Sequence, residues 1–237
     1  MQNKDIQNNL NDLNELFNKL TSLEIIQKSN ELFETDVVFL TSMGLEDMVI
    51  LDMIVKSKSD IKIFTIDTGR LYNETYSLIS KTEQKYNTKI NIVFPNNSEV
   101  EEMVNNNSIN LFYESINKRK LCCEIRKIKP LKRVLSDSKA WICGLRKTQS
   151  ITRHDLKIAE HDVLNNLIKI NPLLDWTEEM VWNYIKENNV PYNILHDKGF
   201  PSIGCAPCTR AIKKDEDIRA GRWWWESPEN KECGLHK

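Results

Sequence analysis

Six cysteines are the residues of this chain best suited to chemistry, and they stand at positions 122, 123, 143, 205, 208 and 233. A Cys-x-x-Cys pair such as Cys205 and Cys208 lets one metal centre reach both sulfurs, and the adjacent Cys122 and Cys123 would complete four thiolates. Four thiolates suit structural zinc or an iron-sulfur cluster. Because zinc-ligand pairs are normally separated by two to four residues, the adjacent pair favours iron-sulfur. A buried thiol pair without metal and a redox-active Cys-x-x-Cys pair are the alternatives.

The cysteine at position 233 has the features of a nucleophile. It follows Arg219, Arg222 and a run of three tryptophans, large aromatic residues that must be buried and would anchor the end of the chain. A nucleophilic thiol needs exposure, a nearby cation that favours the thiolate, and mobility to meet two partners in turn. An exposed terminal thiol without a role is the alternative. His236 is a candidate to tune this thiol, and Cys143, inside a predicted strand, is assigned to the core.

The turn after the first predicted strand is a candidate anion site. In a doubly wound sheet, ligands bind where such a turn leads into a helix, because the free amides of the helix N-terminus attract an anion. The turn lacks the lysine of an NTP-binding P-loop, so cleavage of ATP between phosphates has no evident cation here. A plain connection is the alternative. Its candidate binding residues are Ser42, Gly44, Glu46 and Asp47.

The turn after the second predicted strand and several later cations extend the candidate site. Asp67 is suited to a ribose hydroxyl and Arg70 to an anion, whereas helix capping by Thr68 beside a surface arginine is the alternative. An anionic substrate attacked by a thiolate in a dry site needs cations that neutralise both groups. The cations proposed for this task are Lys127, Arg146, Arg153, Arg219 and Arg222.

The hydrophobic pattern predicts the elements that must position these residues. Apolar residues at three- and four-residue spacing over 8–33 predict one amphipathic helix. Beyond about residue 190 the pattern loosens, so we expect an irregular C-terminal tail. Strands alternating with helices predict an α/β fold, with a parallel sheet covered by helices on both faces. The predicted strands lie at 37–40, 61–66, 90–94 and 140–145, and the predicted helices lie at 46–57, 73–86 and 177–188.

Composition excludes several classes of protein. The chain has 33 Lys and Arg against 34 Asp and Glu, a net charge of −1, so no basic field would hold nucleic acid non-specifically. No stretch approaches the roughly 20 apolar residues of a membrane span, and we expect a cytoplasmic protein with reduced thiols. With 237 residues we expect one structural domain overall. It comprises an N-terminal helical segment (1–35), an α/β nucleotide-binding part (36–200) and a cluster-ligand and catalytic tail folded onto it (201–237).

Taken together, these segments resemble the assimilatory, thioredoxin-dependent adenylyl-sulfate reductases, a branch of the phosphoadenylyl-sulfate reductase family. The resemblance runs from about residue 36 to 236. Departures are few, the main one being Cys143 where a threonine or similar small residue is expected. The resemblance is carried by Cys-Cys-Glu-Ile-Arg-Lys at 122–127, Gly-Leu-Arg at 144–146 with Gln149-Ser150 and Thr152-Arg153, Pro-Ser-Ile-Gly-Cys-Ala-Pro-Cys-Thr-Arg at 201–210, Arg-Ala-Gly-Arg-Trp-Trp-Trp-Glu at 219–226 and Glu-Cys-Gly-Leu-His at 232–236.

The resemblance implies a Rossmann-like fold of the adenine nucleotide α-hydrolase type, with a tail that folds over the site. It implies a 4Fe-4S cluster held by Cys122, Cys123, Cys205 and Cys208, and Cys233 as the nucleophile. The implied substrate is adenosine 5′-phosphosulfate, which is reduced to sulfite and AMP with electrons from thioredoxin through an S-sulfocysteine, in sulfate assimilation and cysteine biosynthesis. A homo-oligomer is a family-level expectation. The site-residue set that results also includes His236 on the substrate side.

Two other functions stay open at this point. One is reduction of the 3′-phosphorylated nucleotide, or of both nucleotides, because one sequence does not say whether Arg70 or Lys62 meets a 3′-phosphate. The other is a non-catalytic metal-thiolate module that senses redox state. That module would keep its function after Cys233→Ser, whereas a reductase would lose sulfite formation.

Overall fold

A six-stranded sheet organises the chain in the computed structural model, which describes residues 3–149 and 155–227, with side chains from residue 9 onward. Its strands are β1 (Val37–Thr41), β2 (Lys62–Ile66), β3 (Asn91–Val93), β4 (Ala140–Ile142), β5 (Ala159–Asp162) and β6 (Leu167–Ile170). Their order across the sheet is β3-β2-β1-β4-β6-β5. All neighbouring pairs are parallel except β5 with β6, which run antiparallel at one edge.

Eight α-helices accompany the sheet in the described part of the chain. None of them combines the length and the apolar character that crossing a lipid bilayer requires. A π-helical turn, Glu124–Ile128, joins the sixth helix to the seventh. The helices are α1 (Asn3–Phe17), α2 (Ser22–Phe33), α3 (Leu45–Ser57), α4 (Asn73–Tyr86), α5 (Asn97–Asn106), α6 (Ile116–Cys123), α7 (Lys129–Leu135) and α8 (Glu178–Glu187).

Successive residues of the central strands enter two different cores. Val37 and Phe39 of β1 pack in the larger core with α1 to α4 and α8, whereas Val38 between them packs in a second core with Leu131 and Leu135 of α7. Because neighbouring side chains of a strand point to opposite faces, the two cores lie on opposite sides of the sheet. The predicted α/β fold with helices on both faces is therefore confirmed.

The prediction of a single N-terminal helix over 8–33 is wrong. The structure has two helices, α1 and α2, separated by a break between Phe17 and Ser22. Thr21 caps the second helix by accepting a hydrogen bond from the Glu24 amide, and the Glu24 carboxylate accepts one from the Thr21 amide at 2.7 Å. This reciprocal capping box satisfies amides that a continuous helix would bond within itself. Apolar residues continue through the break, so the periodicity alone did not reveal it.

The strand order creates a crevice above β1 and β4. From β1 the chain proceeds to β2 and β3 on one side, and it then returns to β4 on the other side. Turns that leave β1 and β4 therefore diverge at the carboxyl ends, where open α/β sheets bind ligands. The two turns nevertheless touch, since a Cβ on Gly144 would lie 2.5 Å from Oδ1 of Asp47. Glycine at position 144 is what permits this approach.

Candidate active site

A cavity of about 240 Å³ opens in this crevice, and the irregular chain beyond Phe200 supplies its other wall. The β1 turn, the β4 turn and the π-helical turn contribute the polar groups on the sheet side. Eight of the twelve residues predicted to bind substrate line this cavity, namely Ser42, Gly44, Glu46, Asp47, Lys127, Arg146, Arg219 and Arg222.

The β1 turn is held by the carboxylate of Asp47. Its Oδ2 accepts hydrogen bonds from the amide of Ser42 at 2.6 Å and from the hydroxyl of Ser42 at 2.7 Å. Burial raises the pKa of Asp47 to about 6, although the bonds from Ser42 oppose the shift. Gly44 precedes α3 and has no side chain to cap it, so the first amides of that helix are suited to an anion.

Arg146 from the β4 turn is fixed by three groups. Its Nε donates to Oε1 of Glu46 at 2.7 Å, and its Nη1 donates to the hydroxyl of Thr148 at 2.7 Å and to the carbonyl of Trp176 at 3.3 Å. The Arg146 side chain is 4% exposed. The guanidinium is thus preorganised at the cavity wall, with part of its charge balanced by Glu46.

Arg222 enters the cavity from the tail across the backbone of Gly204. Its Nη1 lies 3.3 Å from the hydroxyl of Ser202 and 3.4 Å from the carbonyl of Ile203, which are long hydrogen bonds. A Cβ on Gly204 would lie 2.7 Å from the guanidinium carbon of Arg222. Gly204 is therefore a residue that the site requires for space, and its role was not predicted from the sequence.

Three further cavity residues escaped the sequence reasoning. Glu178 begins α8, His196 lies in a short 3-10 turn, and Cys143 directly follows β4. Cys143 is buried, as predicted, and its thiol donates to Oδ1 of Asn171 at 3.0 Å, but it also borders the cavity. Burial lowers the pKa of His196. Cys143 and His196 lie close in sequence to the Gly144–Arg146 and Pro201–Gly204 motifs, which was a usable signal, whereas no motif lies near Glu178.

A second, smaller cavity brings together the four cysteines of the predicted cluster. Cys122 and Cys123 reach it from the end of α6, and Cys205 and Cys208 reach it from the tail. Among the described residues no three or more His, Cys, Asp or Glu side chains are set to hold a single metal ion. The donor set itself, four sulfurs from two chain segments facing one cavity, fits an iron-sulfur cluster. The apolar and cationic surroundings include Phe112, Trp223, Arg70, Arg119, Arg126 and Lys127.

The thiols of this cavity differ in the direction in which their pKa is shifted. Burial would raise the pKa of Cys205, but Lys127, the hydroxyl of Thr68 at 3.2 Å and two nearby arginines together hold it below its ordinary value. Burial and the charge of Cys205 raise the pKa of Cys208 to about 12. Cations therefore favour negative charge on sulfur at one side of the cavity. Lys127 and Cys205 also border the larger cavity, so the two cavities share a wall.

Hydrogen bonds to the main chain fix the Cys-x-x-Cys loop. The hydroxyl of Tyr72 donates to the carbonyl of Thr209 at 2.6 Å, and that of Tyr113 donates to the carbonyl of Pro207 at 2.8 Å. The amide of Ala206 donates to the carbonyl of Arg70 at 2.8 Å. The turn after β2 thereby positions the tail cysteines.

Two predicted substrate residues do not border the larger cavity. Asp67 bonds the amide of Gly69 at 2.7 Å and the hydroxyl of Tyr76 at 2.9 Å, so it stabilises its own turn and does not border the larger cavity. Arg70 bonds Asn110, lies over the ring of Phe112 and borders the cysteine cavity. The turn after β2 therefore borders both cavities, through Thr68 and Leu71 on the larger one and through Arg70 on the one that the cysteines line.

Three other predicted residues lie outside the described part of the chain, namely Arg153, Cys233 and His236. The described chain ends at Ser227, six positions before Cys233. These residues stay predictions.

Comparison with known proteins gives a consistent result. The family model described as the phosphoadenosine phosphosulfate reductase domain matches residues 36–211. The adenosine 5′-phosphosulfate reductase of Allochromatium vinosum is 52% identical over 201 residues, which cover 85% of this chain and 78% of that protein.

Solved structures agree with this at the level of fold. The phosphoadenylyl-sulfate reductase of Candida auris, in a phosphate complex, has a TM-score of 0.74 and 30% identity, covering 87% of this chain and 97% of its own. The FMN adenylyltransferase of Candida glabrata, with a TM-score of 0.56 and 15% identity, covers 96% and 88% and shares the fold alone.

Proposed function

The chain belongs to the phosphoadenosine phosphosulfate reductase domain family and is an oxidoreductase that acts on sulfur, and we propose that it reduces adenosine 5′-phosphosulfate to sulfite and AMP with Cys233 as nucleophile. The observation that carries this proposal is the shared wall of the two cavities. A cavity with four cations and a helix N-terminus, suited to an anionic nucleotide, borders a cavity that gathers four cysteines.

The reaction we propose has three displacements at sulfur. The Cys233 thiolate attacks the sulfate sulfur, the bond from that sulfur to the bridging oxygen breaks, and AMP leaves with the electron pair. A thiolate of reduced thioredoxin then attacks Sγ of the S-sulfocysteine and expels sulfite, leaving a mixed disulfide. The second thioredoxin thiol resolves that disulfide and regenerates Cys233, so thioredoxin is oxidised by two electrons.

Residues of the larger cavity have defined tasks in this scheme. Attack of a thiolate on a sulfated nucleotide brings negative charges together, and preorganised cations lower that cost. Arg146 and Arg222 approach the cavity from opposite walls, and Lys127 lies where it meets the cysteine cavity. The amides at the start of α3 suit a phosphate oxygen. These groups bind and orient the nucleotide while Cys233 supplies the bond-forming sulfur.

We further propose that the four cysteines Cys122, Cys123, Cys205 and Cys208 hold a 4Fe-4S cluster. When bound, the cluster supplies a structural link between α6 and the tail, and a charge beside the surrounding cations. The anaerobically purified protein should contain four irons and four acid-labile sulfides per chain. Cys208→Ser should lose them and Cys143→Ser should retain them. Stoichiometric zinc in a colourless protein would contradict the cluster.

The nucleophile is tested by trapping. Incubation with adenosine 5′-phosphosulfate and no thioredoxin should add one SO₃ group to a peptide containing Cys233, detected by mass spectrometry. Cys233→Ser should abolish the adduct and sulfite release, whereas Cys143→Ser, whatever it does to affinity, should still form the adduct at Cys233. An active Cys233→Ser protein would refute the mechanism. If the Cys233→Ser protein released no sulfite but still sensed redox state as the parent does, the redox-sensing module would be supported instead.

A second candidate substrate is the 3′-phosphorylated nucleotide, because the Candida auris relative in the structural comparison is named a phosphoadenylyl-sulfate reductase. The curated relative at higher identity is named for the unphosphorylated substrate. Measuring kcat/KM for both nucleotides in the same preparation separates the two. Equal values would overturn exclusive use of adenosine 5′-phosphosulfate.

A further inference from the structure

A buried ion pair ties the tail to the cysteine helix. Nε and Nη2 of Arg119 donate to Oε1 and Oε2 of Glu226 at 3.0 and 2.8 Å, and the two side chains are 2% and 3% exposed. Arg119 belongs to α6, three residues before Cys122. Glu226 lies at the end of the tryptophan run, seven residues before Cys233. The pair therefore joins one cluster-ligand segment to the chain that leads to the nucleophile.

The same arginine also contacts a tryptophan of that run. The guanidinium carbon of Arg119 lies 4.7 Å from the ring centroid of Trp223, and the guanidinium carbon of Arg222 lies 4.8 Å from it. These distances are within the range of cation–π contacts, which strengthen when water is excluded. Trp223 is fully buried and has a φ of 41°, which a bulky residue rarely adopts. Packing must therefore hold Trp223 in place.

Arg222 depends on this ring for its orientation. Its two described hydrogen bonds, to Ser202 and Ile203, are long, and its buried Nε has no hydrogen-bond partner among the described residues. Gly204 leaves space for the guanidinium without gripping it. The ring of Trp223 is thus a principal contact that aims Arg222 at the larger cavity.

We propose that Arg119 and Glu226 are positioning residues for nucleotide binding: their ion pair holds Trp223, and Trp223 directs the guanidinium of Arg222 into the larger cavity. The proposal rests on the proposed function, because it takes that cavity as the nucleotide site. Neither Arg119 nor Glu226 borders the larger cavity, so any effect on nucleotide affinity is indirect. Trp223 contacts both Arg119 and Arg222, whereas the contact of Arg119 with Cys123 lies on the cysteine cavity and is monitored by the iron content.

The alternative is that the pair only holds the tail in its fold. Removing one partner would leave a buried charge and could unfold the tail, so the test replaces both. Arg119→Met combined with Glu226→Leu keeps an apolar contact of similar volume, and such replacements of buried ion pairs often preserve stability. The matched control is Arg210→Met with Glu216→Leu, a pair that also forms two hydrogen bonds, at 2.8 and 2.9 Å through Nη1 and Nη2 of Arg210. This pair is partly exposed, and the described cation–π contacts of Trp223 come from Arg119 and Arg222.

The assay is calorimetric titration of the holoprotein with AMP, with the thermal midpoint and iron content measured in parallel. We expect the Arg119/Glu226 double variant to bind AMP about tenfold more weakly, a loss typical of one misplaced charged contact. The Arg210/Glu216 double variant should bind within about twofold of the parent. Arg222→Ala should weaken binding, and adding it to the Arg119/Glu226 variant should cause no further loss, because both act through one guanidinium.

Failure of the inference and failure of the proposed function give different results. If the parent protein does not bind AMP, the proposed function falls. If Arg222→Ala weakens AMP binding and the Arg119/Glu226 double variant does not, the positioning role is overturned and the function stands. If the Arg119/Glu226 double variant loses its iron or has a clearly lower thermal midpoint, the variants Trp223→Phe and Trp223→Leu provide the test. The inference is supported if Trp223→Phe keeps the parent's affinity for AMP and Trp223→Leu does not. It is refuted if the two variants bind AMP with equal affinity.

Discussion

Asp47 makes the stability of this protein depend on pH in a direction opposite to that of most carboxylates. Its side chain is buried beneath the β1 turn and accepts two hydrogen bonds from Ser42. Burial raises its pKa from 3.8, the ordinary value for an aspartate, to about 6. Between these two values the folded protein binds more protons at this site than the unfolded chain does. Stability therefore falls as the pH rises through this window.

The size of the effect follows from the shift. The pKa of Asp47 differs by about two units between the folded and the unfolded chain, and each unit corresponds to about 1.4 kcal/mol. The free energy of unfolding is therefore about 3 kcal/mol lower at neutral pH than in acid, and about 1.5 kcal/mol of this is lost between pH 5 and 7.5. For a chain of this length, that change corresponds to roughly 3 to 6 °C in the thermal midpoint. The carboxylate is retained at this cost because it organises the turn that faces the cavity.

The perturbation is Asp47→Asn, which keeps an oxygen for the bonds from Ser42 and removes the titration. Thermal midpoints of the holoprotein and the variant are measured at half-unit intervals from pH 5 to 7.5. The other groups titrate alike in both proteins, so the difference between midpoints isolates Asp47. We expect the parent to lose about 3 to 6 °C relative to the variant across this range. Midpoints that run parallel would refute the argument that burial controls this carboxyl.

Three substitutions test other parts of the structure. Gly204→Ala should displace Arg222 and weaken AMP binding about tenfold with little change in the thermal midpoint; unchanged affinity would show that Arg222 has room to spare. Asp52→Ala should lower the free energy of unfolding by about 3 kcal/mol, because this buried carboxylate accepts hydrogen bonds from two tyrosine hydroxyls at 2.7 and 2.8 Å. Urea unfolding measures this change, and a loss below about 1 kcal/mol would contradict the expected cost of leaving both hydroxyls unpaired. Thr21→Ala should lower the free energy of unfolding by about 1 kcal/mol in the same assay, because the capping box is lost. An unchanged urea midpoint would mean that packing alone holds the break between α1 and α2.

Burial explains which elements could be predicted from the sequence. The strands at 37–41 and 62–66 are covered on both faces, so they appear as short β-branched runs that no helix period fits. Helix α4 was predicted with its actual bounds, 73–86, because one face alone is buried. The β5–β6 hairpin at the sheet edge was not predicted, since the polar residues of Ala159–Asp162 give no such pattern.

Residue type was a good guide to chemistry and a poor guide to which cavity a side chain enters. The four cysteines were predicted to converge, and they do face one cavity. Arg70 was assigned to the substrate on the strength of its place after β2. Its actual position depends on Asn110 and Phe112, about forty residues away, which bond and stack on its guanidinium. A long side chain with a choice of partners is decided by such distant loops, which a local motif does not encode.

The position of Lys127 between the two cavities has a backbone cause that no motif records. Lys127 lies in the π-helical turn Glu124–Ile128, in which each turn holds more residues than in an α-helix. In a regular α-helix a residue lies over the one four positions earlier, which would align Lys127 with Cys123 on the cysteine side. The wider turn rotates the lysine off that row, and it borders both cavities. Among the described residues, Lys127 is the cation that borders both cavities, and a local irregularity of the helix sets its place. A change that restored a regular helix would therefore move the lysine while leaving every residue of the Cys-Cys-Glu-Ile-Arg-Lys motif in the sequence.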